Sequence, residues 1–161
     1  MTTSANNPIE TALGSSDQPP RVLLLGAHAQ SLGPALLDIR ADISLHMRDD
    51  TTPPRELATG DRFDLAILSD IQLWQNSTAA AQHIALLRDS MCVRLFVGCG
   101  PVGPFTRADC LALGLRGTVE PLTQSEPRNW YSYSIIDYKR VPDWLNADNW
   151  ANPERWNRER W

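Results

Sequence analysis

The sequence predicts an α/β fold, a mostly parallel, doubly wound sheet with helices on both faces and an antiparallel strand late in the chain. Three observations carry this. Short unbroken apolar runs at Val22–Leu25 and Leu65–Leu68, and the largely apolar stretch Val93–Val97, suit strands covered on both sides. Segments with helical spacing of apolar residues follow these runs, the alternation that builds crossover connections. The stretch Trp130–Asp137 instead alternates, with Tyr131, Tyr133 and Ile135 on one side and Ser132, Ser134 and Ile136 on the other. A strand with one less buried face fits an antiparallel partner near an edge.

Taken in order, residues 1–20 are rich in Ser, Thr, Asn and Pro and read as a flexible leader. The α/β domain is expected over residues 21–140, and a Trp-rich extension packed on it over 141–161. Val22–Leu25 run into Gly26 and a short loop. Ser31 can cap the next helix, Pro34 is tolerated in its first turn, and Leu32, Leu36 and Ile39 share a face. Ile43–Met47 read as the second strand, ending in Arg48, Asp49 and Asp50. Residues 52–60 look like a short helix with Pro near its start and Gly at its end. The third strand, Leu65–Leu68, has Asp64 before it and Asp70 after it.

A helix is expected over Thr78–Met91, capped by Ser77 or Thr78, with Ala80, Ile84, Leu87 and Met91 on one face. After the fourth strand comes a Gly/Pro turn from Gly98 to Pro104. Thr106 then caps a helix with Ala108, Leu111, Ala112 and Leu115 on one side and Gly117 beyond its end. Thr118–Glu120 read as a brief fifth strand.

Composition sets the class. A chain of 161 residues with 42% hydrophobic and 21% charged content is long enough to bury one real core. The net charge of −4 gives no general attraction to nucleic acid or anionic membranes. Lys139 is the one lysine among 15 basic residues, a bias that points to a bacterium with GC-rich DNA. Three cysteines without paired spacing indicate neither a disulfide framework nor a zinc knuckle. No apolar run approaches the roughly 20 residues that span a bilayer, and no charged start precedes an apolar block, so the cytoplasm is the expected location.

Ligands of doubly wound sheets bind beyond the carboxyl ends of the strands. The sequence places His28, Arg48, Asp49, Asp50, Ser69, Asp70 and Cys99 there. An imidazole, carboxylates and a thiol at one rim suit acid–base or nucleophilic chemistry, with His28, Asp70 and Cys99 as catalytic candidates. Polar residues also gather at strand ends because chains reach solvent there, and a Cys between two glycines is commonly a packed residue. Gly98-Cys-Gly-Pro-Val-Gly103 matches GxGxxG, but Pro101 and Pro104 remove backbone donors and delay the helix.

The order of elements resembles the class I S-adenosylmethionine-dependent methyltransferases, a Rossmann-like fold. Leu23-Leu-Leu-Gly26 resembles that family's first motif, and Asp49 or Asp50 its acidic ribose-binding residue. FDLAILSD is similar to its fourth-strand motif, and Trp130–Tyr138 to its last antiparallel strand. The resemblance implies Gly26, His28 and Asp49 beside S-adenosylmethionine and Asp70 near the transferred group. The chain departs from it where His28 and Gln30 replace the loop glycines that let backbone approach the cofactor. Leu24 stands where an acidic residue is usual, and the chain between Asp50 and Asp64 is short for an extra strand and its helix. The whole chain, through DYKRVPDWLNADNWANPERW, also resembles an uncharacterised proteobacterial domain family of unknown function.

Five of the six tryptophans fall in the last 32 residues: Trp130, Trp144, Trp150, Trp156 and Trp161. Side chains so large and apolar serve either as a cover for the sheet or as an interface for a protein partner or a second copy. Stacking on nucleic acid or sugar, with Arg155, Arg158 and Arg160 beside the rings, is the third reading. Residues 137–161 carry five basic and five acidic residues, and that balance argues against phosphate binding. Two functional readings follow. One is a degenerate methyltransferase-fold domain acting by binding or assembly rather than catalysis. The other is an S-adenosylmethionine-dependent methyltransferase for a small molecule.

Overall fold

A computed structural model describes residues 8–14, 17–49, 62–70, 76–100, 103, 105–118, 122 and 129–138. Helix α1 (Pro8–Leu13) precedes strand β1 (Arg21–Leu25), then α2 (Ala27–Ser31), α3 (Gly33–Ile39) and β2 (Ser44–Arg48). Strand β3 (Phe63–Leu68), helix α4 (Ser77–Leu86) with a π-helical turn (Leu87–Met91), and β4 (Cys92–Cys99) follow. Helix α5 (Arg107–Ala112), β5 (Arg116–Gly117), β6 (Asn129–Ser134) and α6 (Ile135–Tyr138) complete the described elements.

The six strands form one sheet in the order β2-β1-β3-β4-β6-β5. Strands β1 to β4 are parallel, with Leu23 beside Ala66 and Ala66 beside Leu95. Strand β6 runs antiparallel between β4 and β5. The chain leaves β1 for β2 on one side and reaches β3 on the other, so the order reverses at β1 and β3.

Alternation along the strands sorts the core into two layers. Leu23, Leu25, Ala66, Leu68, Leu95 and Val97 face α4, the π-helical turn and α5, whose Ala80, Ile84, Leu87, Met91 and Cys110 complete that cluster. Val22, Leu24, Leu65, Ile67 and Phe96 face the other way, under Ile9, Ala12 and Leu13 of α1, Ala29 of α2 and Leu36 of α3. The central strands are therefore covered on both faces, as their predominantly apolar sequences require.

Several local expectations are corrected. Within residues 1–20, Pro8–Leu13 form α1 and bury Ile9, Ala12 and Leu13, so this part of the expected flexible leader is helical. Arg94 anchors it by donating to the carbonyl oxygens of Thr11, at 3.1 Å, and Ala12 at the helix end. Ser31 lies inside α2 and donates to the His28 carbonyl instead of capping α3. The cap of α4 is Asn76, whose side chain accepts from the Ala79 N–H at 2.6 Å. The last turn before β4 widens to π geometry, and Gly114, at φ +75°, ends α5 three residues before Gly117. The fifth strand is Arg116–Gly117, and the sixth stops at Ser134, where α6 begins. The helix expected over 52–60, Asp50, and the tryptophans beyond Trp130 lie outside the described residues.

Candidate functional site

The carboxyl ends of β1 and β3 meet at the reversal of strand order, the position at which doubly wound sheets hold ligands. At β1 the chain makes its turn with Gly26 alone, and α2 begins at Ala27 with no intervening loop. Gly26 has φ +90° and ψ 155°, a conformation essentially reserved for glycine. Close packing adds to this requirement. A Cβ on Gly26 would lie 2.8 Å from the Ser69 carbonyl oxygen, 2.9 Å from its Oγ and 3.2 Å from Asp70 Oδ2.

The residues after β3 close the space from the other side. The first N–H groups of any helix lack partners within the helix and attract negative charge. Here the His28 N–H donates to Asp70 Oδ2 at 3.1 Å, and the Ala29 N–H donates to Ser69 Oγ at 2.9 Å. Ser69 Oγ in turn donates to Asp70 Oδ2 at 2.8 Å. Ser69 is fully buried and Asp70 is 7% exposed. Asp70 has φ +60°, the left-handed region that Asp tolerates better than most residues. The main-chain donors that would hold a ligand's anionic group are thus taken by this chain's own hydroxyl and carboxylate.

Two further contacts fill the rim. Gln30 Nε2 donates to the Arg48 carbonyl at 2.8 Å and ties α2 to the end of β2. Trp130, at the start of β6, lies across Gly98, where a Cβ would meet its ring at 2.9 Å. Its indole is 6.1 Å from the His28 ring, and its buried Nε1 has no hydrogen-bond partner among the described residues. Gly98 and Trp130 are register partners in β4 and β6. That glycine–aromatic pair is a contributor the sequence reading missed. Its legible trace was the glycine at the end of an apolar run.

Among the expected site residues, the structure brings Gly26, His28, Ser69 and Asp70 together. Asp49 is exposed just beyond β2, on the far side of β1 from Asp70. Cys99 points to the opposite face, into the cluster that contains Cys110. It is not part of a His28–Asp70 constellation. The GxGxxG match ends before α5, which Thr106 caps, and its Gly98 serves to seat Trp130. Among the described residues, no group of three or more His, Cys, Asp or Glu side chains is placed to hold a metal ion. Among them, too, no helix is long and apolar enough to cross a membrane.

S-adenosylmethionine, which the resemblance implies, does not fit these residues: the glycine at its turn is packed shut, and the adjacent donors are already bonded. A family model described as a family of unknown function (DUF6231) matches residues 4–161. No curated protein matches the chain.

Proposed function

The chain belongs to that family of unknown function, and from this premise and the closed rim we propose a Rossmann-like, methyltransferase-type domain that acts by binding or assembly rather than catalysis. One observation carries the reading. The Asp70 carboxylate and Ser69 hydroxyl occupy the N–H groups of His28 and Ala29, the place of a cofactor's anionic group in a working site. Support for the ancestry comes from the reversal of order at β1 and β3 and from the antiparallel strand seated between β4 and β5. The arginine-dominated basic composition supports a bacterial origin. The binding surface in this reading is the Trp-rich tail, offered to a protein partner or to a second copy of the chain.

Native mass spectrometry of the freshly purified full-length protein, with and without added S-adenosylmethionine, tests both halves. The expected spectrum shows an oligomer or a bound protein partner, and no stoichiometric cofactor adduct. A one-to-one S-adenosylmethionine adduct would overturn the closed-site half and favour the methyltransferase reading, with Gly26, His28 and Asp49 as the cofactor contacts. A bare monomer at every concentration would overturn the assembly half.

A further inference from the structure

Outside the rim, two thiols stand unusually close. Cys99 is the last residue of β4 and Cys110 lies in α5, and their sulfur atoms are 3.3 Å apart. Both belong to the same buried cluster, with Cys99 at 5% exposure and Cys110 at 0%. A disulfide needs sulfurs about 2.05 Å apart, so roughly 1.2 Å of side-chain movement would close the bond. The third cysteine is set apart. Cys92 sits at the start of β4, and its thiol donates to the Leu87 carbonyl at 3.2 Å.

From this geometry we propose that Cys99 and Cys110 are a reversible oxidation site, forming an intramolecular disulfide with a small-molecule disulfide as oxidant. Cys99, the less buried of the two, reacts first, as the attacking thiolate. Its thiolate displaces one sulfur of the reagent, giving a mixed disulfide and one free thiol. Cys110 then loses its proton and attacks Cys99 Sγ, and the second reagent thiol leaves. The protein gives up two electrons and two protons, and the reagent's disulfide leaves as two thiols.

The hydrogen bond between the pair supports this order. It pulls the Cys99 thiol down, whereas the same bond and burial push Cys110 up, so the first thiolate forms on Cys99. Burial pushes the Cys92 thiol up to about 12, which removes it as a competitor. The resulting bond would tie the end of β4, next to the glycine that seats Trp130, to the helix packed on the other face. Such a bond in a reducing compartment is transient and belongs to sensing rather than to the fold.

The test starts from the unsubstituted protein. The native full-length chain is incubated with oxidised glutathione, quenched, unfolded and alkylated, and its mass is read. The reduced chain should take three alkyl groups, one per cysteine. The oxidised chain should take one, on Cys92, and be two hydrogens lighter before alkylation. Its melting temperature should rise by roughly 5–10 °C and return on reduction. In Cys110→Ser the glutathione adduct should persist on Cys99. Three alkyl groups after native oxidation would overturn the proposal, as would a stable adduct on the unsubstituted chain or a bond that forms only after unfolding.

Discussion

Two strand-to-helix turns in this chain end in opposite ways. Helix α5 is capped by its own sequence: Thr106 Oγ1 accepts from the Asp109 N–H, and the Asp109 carboxylate accepts from the Thr106 N–H at 2.8 Å. This reciprocal capping box spans four residues. Helix α2 is capped from about 40 residues away, by Ser69 and Asp70 at the end of another strand. The first turn can form wherever the local chain is helical. The second forms only when β1 and β3 are paired, so its cap reports on the tertiary fold. At α2 the cap also lies where the strand order reverses, which no local cap at α5 does.

The comparison implies a ranking of costs. Gly26→Ala should do the most damage, because it combines a forbidden φ with a contact of 2.8 Å to main-chain oxygen. A destabilisation of about 4 kcal/mol is expected from strain plus overpacking. Urea unfolding monitored by circular dichroism measures it. A cost below about 1 kcal/mol would mean that β1 and β3 part easily there, and the sealed-rim description would fail.

Asp70→Ala should come next, at about 3 kcal/mol, since it removes a buried acceptor and places Ala at a left-handed backbone position. Thr106→Ala should cost only about 1 kcal/mol, the usual loss for an exposed N-cap. Measuring both by the same unfolding curves sharpens the contrast. Equal costs would show that the long-range cap is no more than a local cap made by distant residues.

How much of this was legible follows the same division. Apolar runs mark β1 and β3 because strands buried on both faces leave an unbroken signature, and β4 shows it except at Arg94, which reaches out to α1. Thr106 was readable as a cap because its partner is three residues away. Asn76 was missed in favour of Ser77 or Thr78, since three adjacent polar residues are equivalent until the backbone chooses one. Helix α1 was masked by a polar composition that hides the few residues, Ile9, Ala12 and Leu13, packed on the sheet. At the rim, strand-end position points to His28 and Asp70, and the resemblance of the turn points to Gly26. That Asp70 faces inward to the α2 donors depends on register between β1 and β3, which no local pattern encodes. The placement of Cys99 was misjudged for a related reason: strand ends share a rim, but side-chain parity sends neighbours to opposite faces.

Acid titration gives the smallest and most selective effect, and it bears on the α5 side of the comparison. Hydrogen bonds from the Thr106 hydroxyl and N–H hold the Asp109 carboxyl below its ordinary value of 3.8. The unfolded chain therefore binds a proton before the folded chain does, and this stabilisation, complete above 3.8, is lost as pH falls through the folded value. His83 acts in a separate window. Burial lowers its imidazole from 6.5 to about 4, so it is neutral in the fold but protonated in the unfolded chain across that range. Its contribution is present above pH 6.5 and falls away toward pH 4. Thermal melts at stepped pH should show both losses, and Asp109→Asn should reduce only the lower one, which Asp42 and Asp89, held low by Arg40 and Arg88, share. An Asp109→Asn profile that stays parallel to the unsubstituted protein below pH 3.8 would mean that the carboxylate adds nothing to the local cap. The self-contained turn would then rest on the Thr106 hydroxyl alone, narrowing its difference from the turn that Ser69 and Asp70 close.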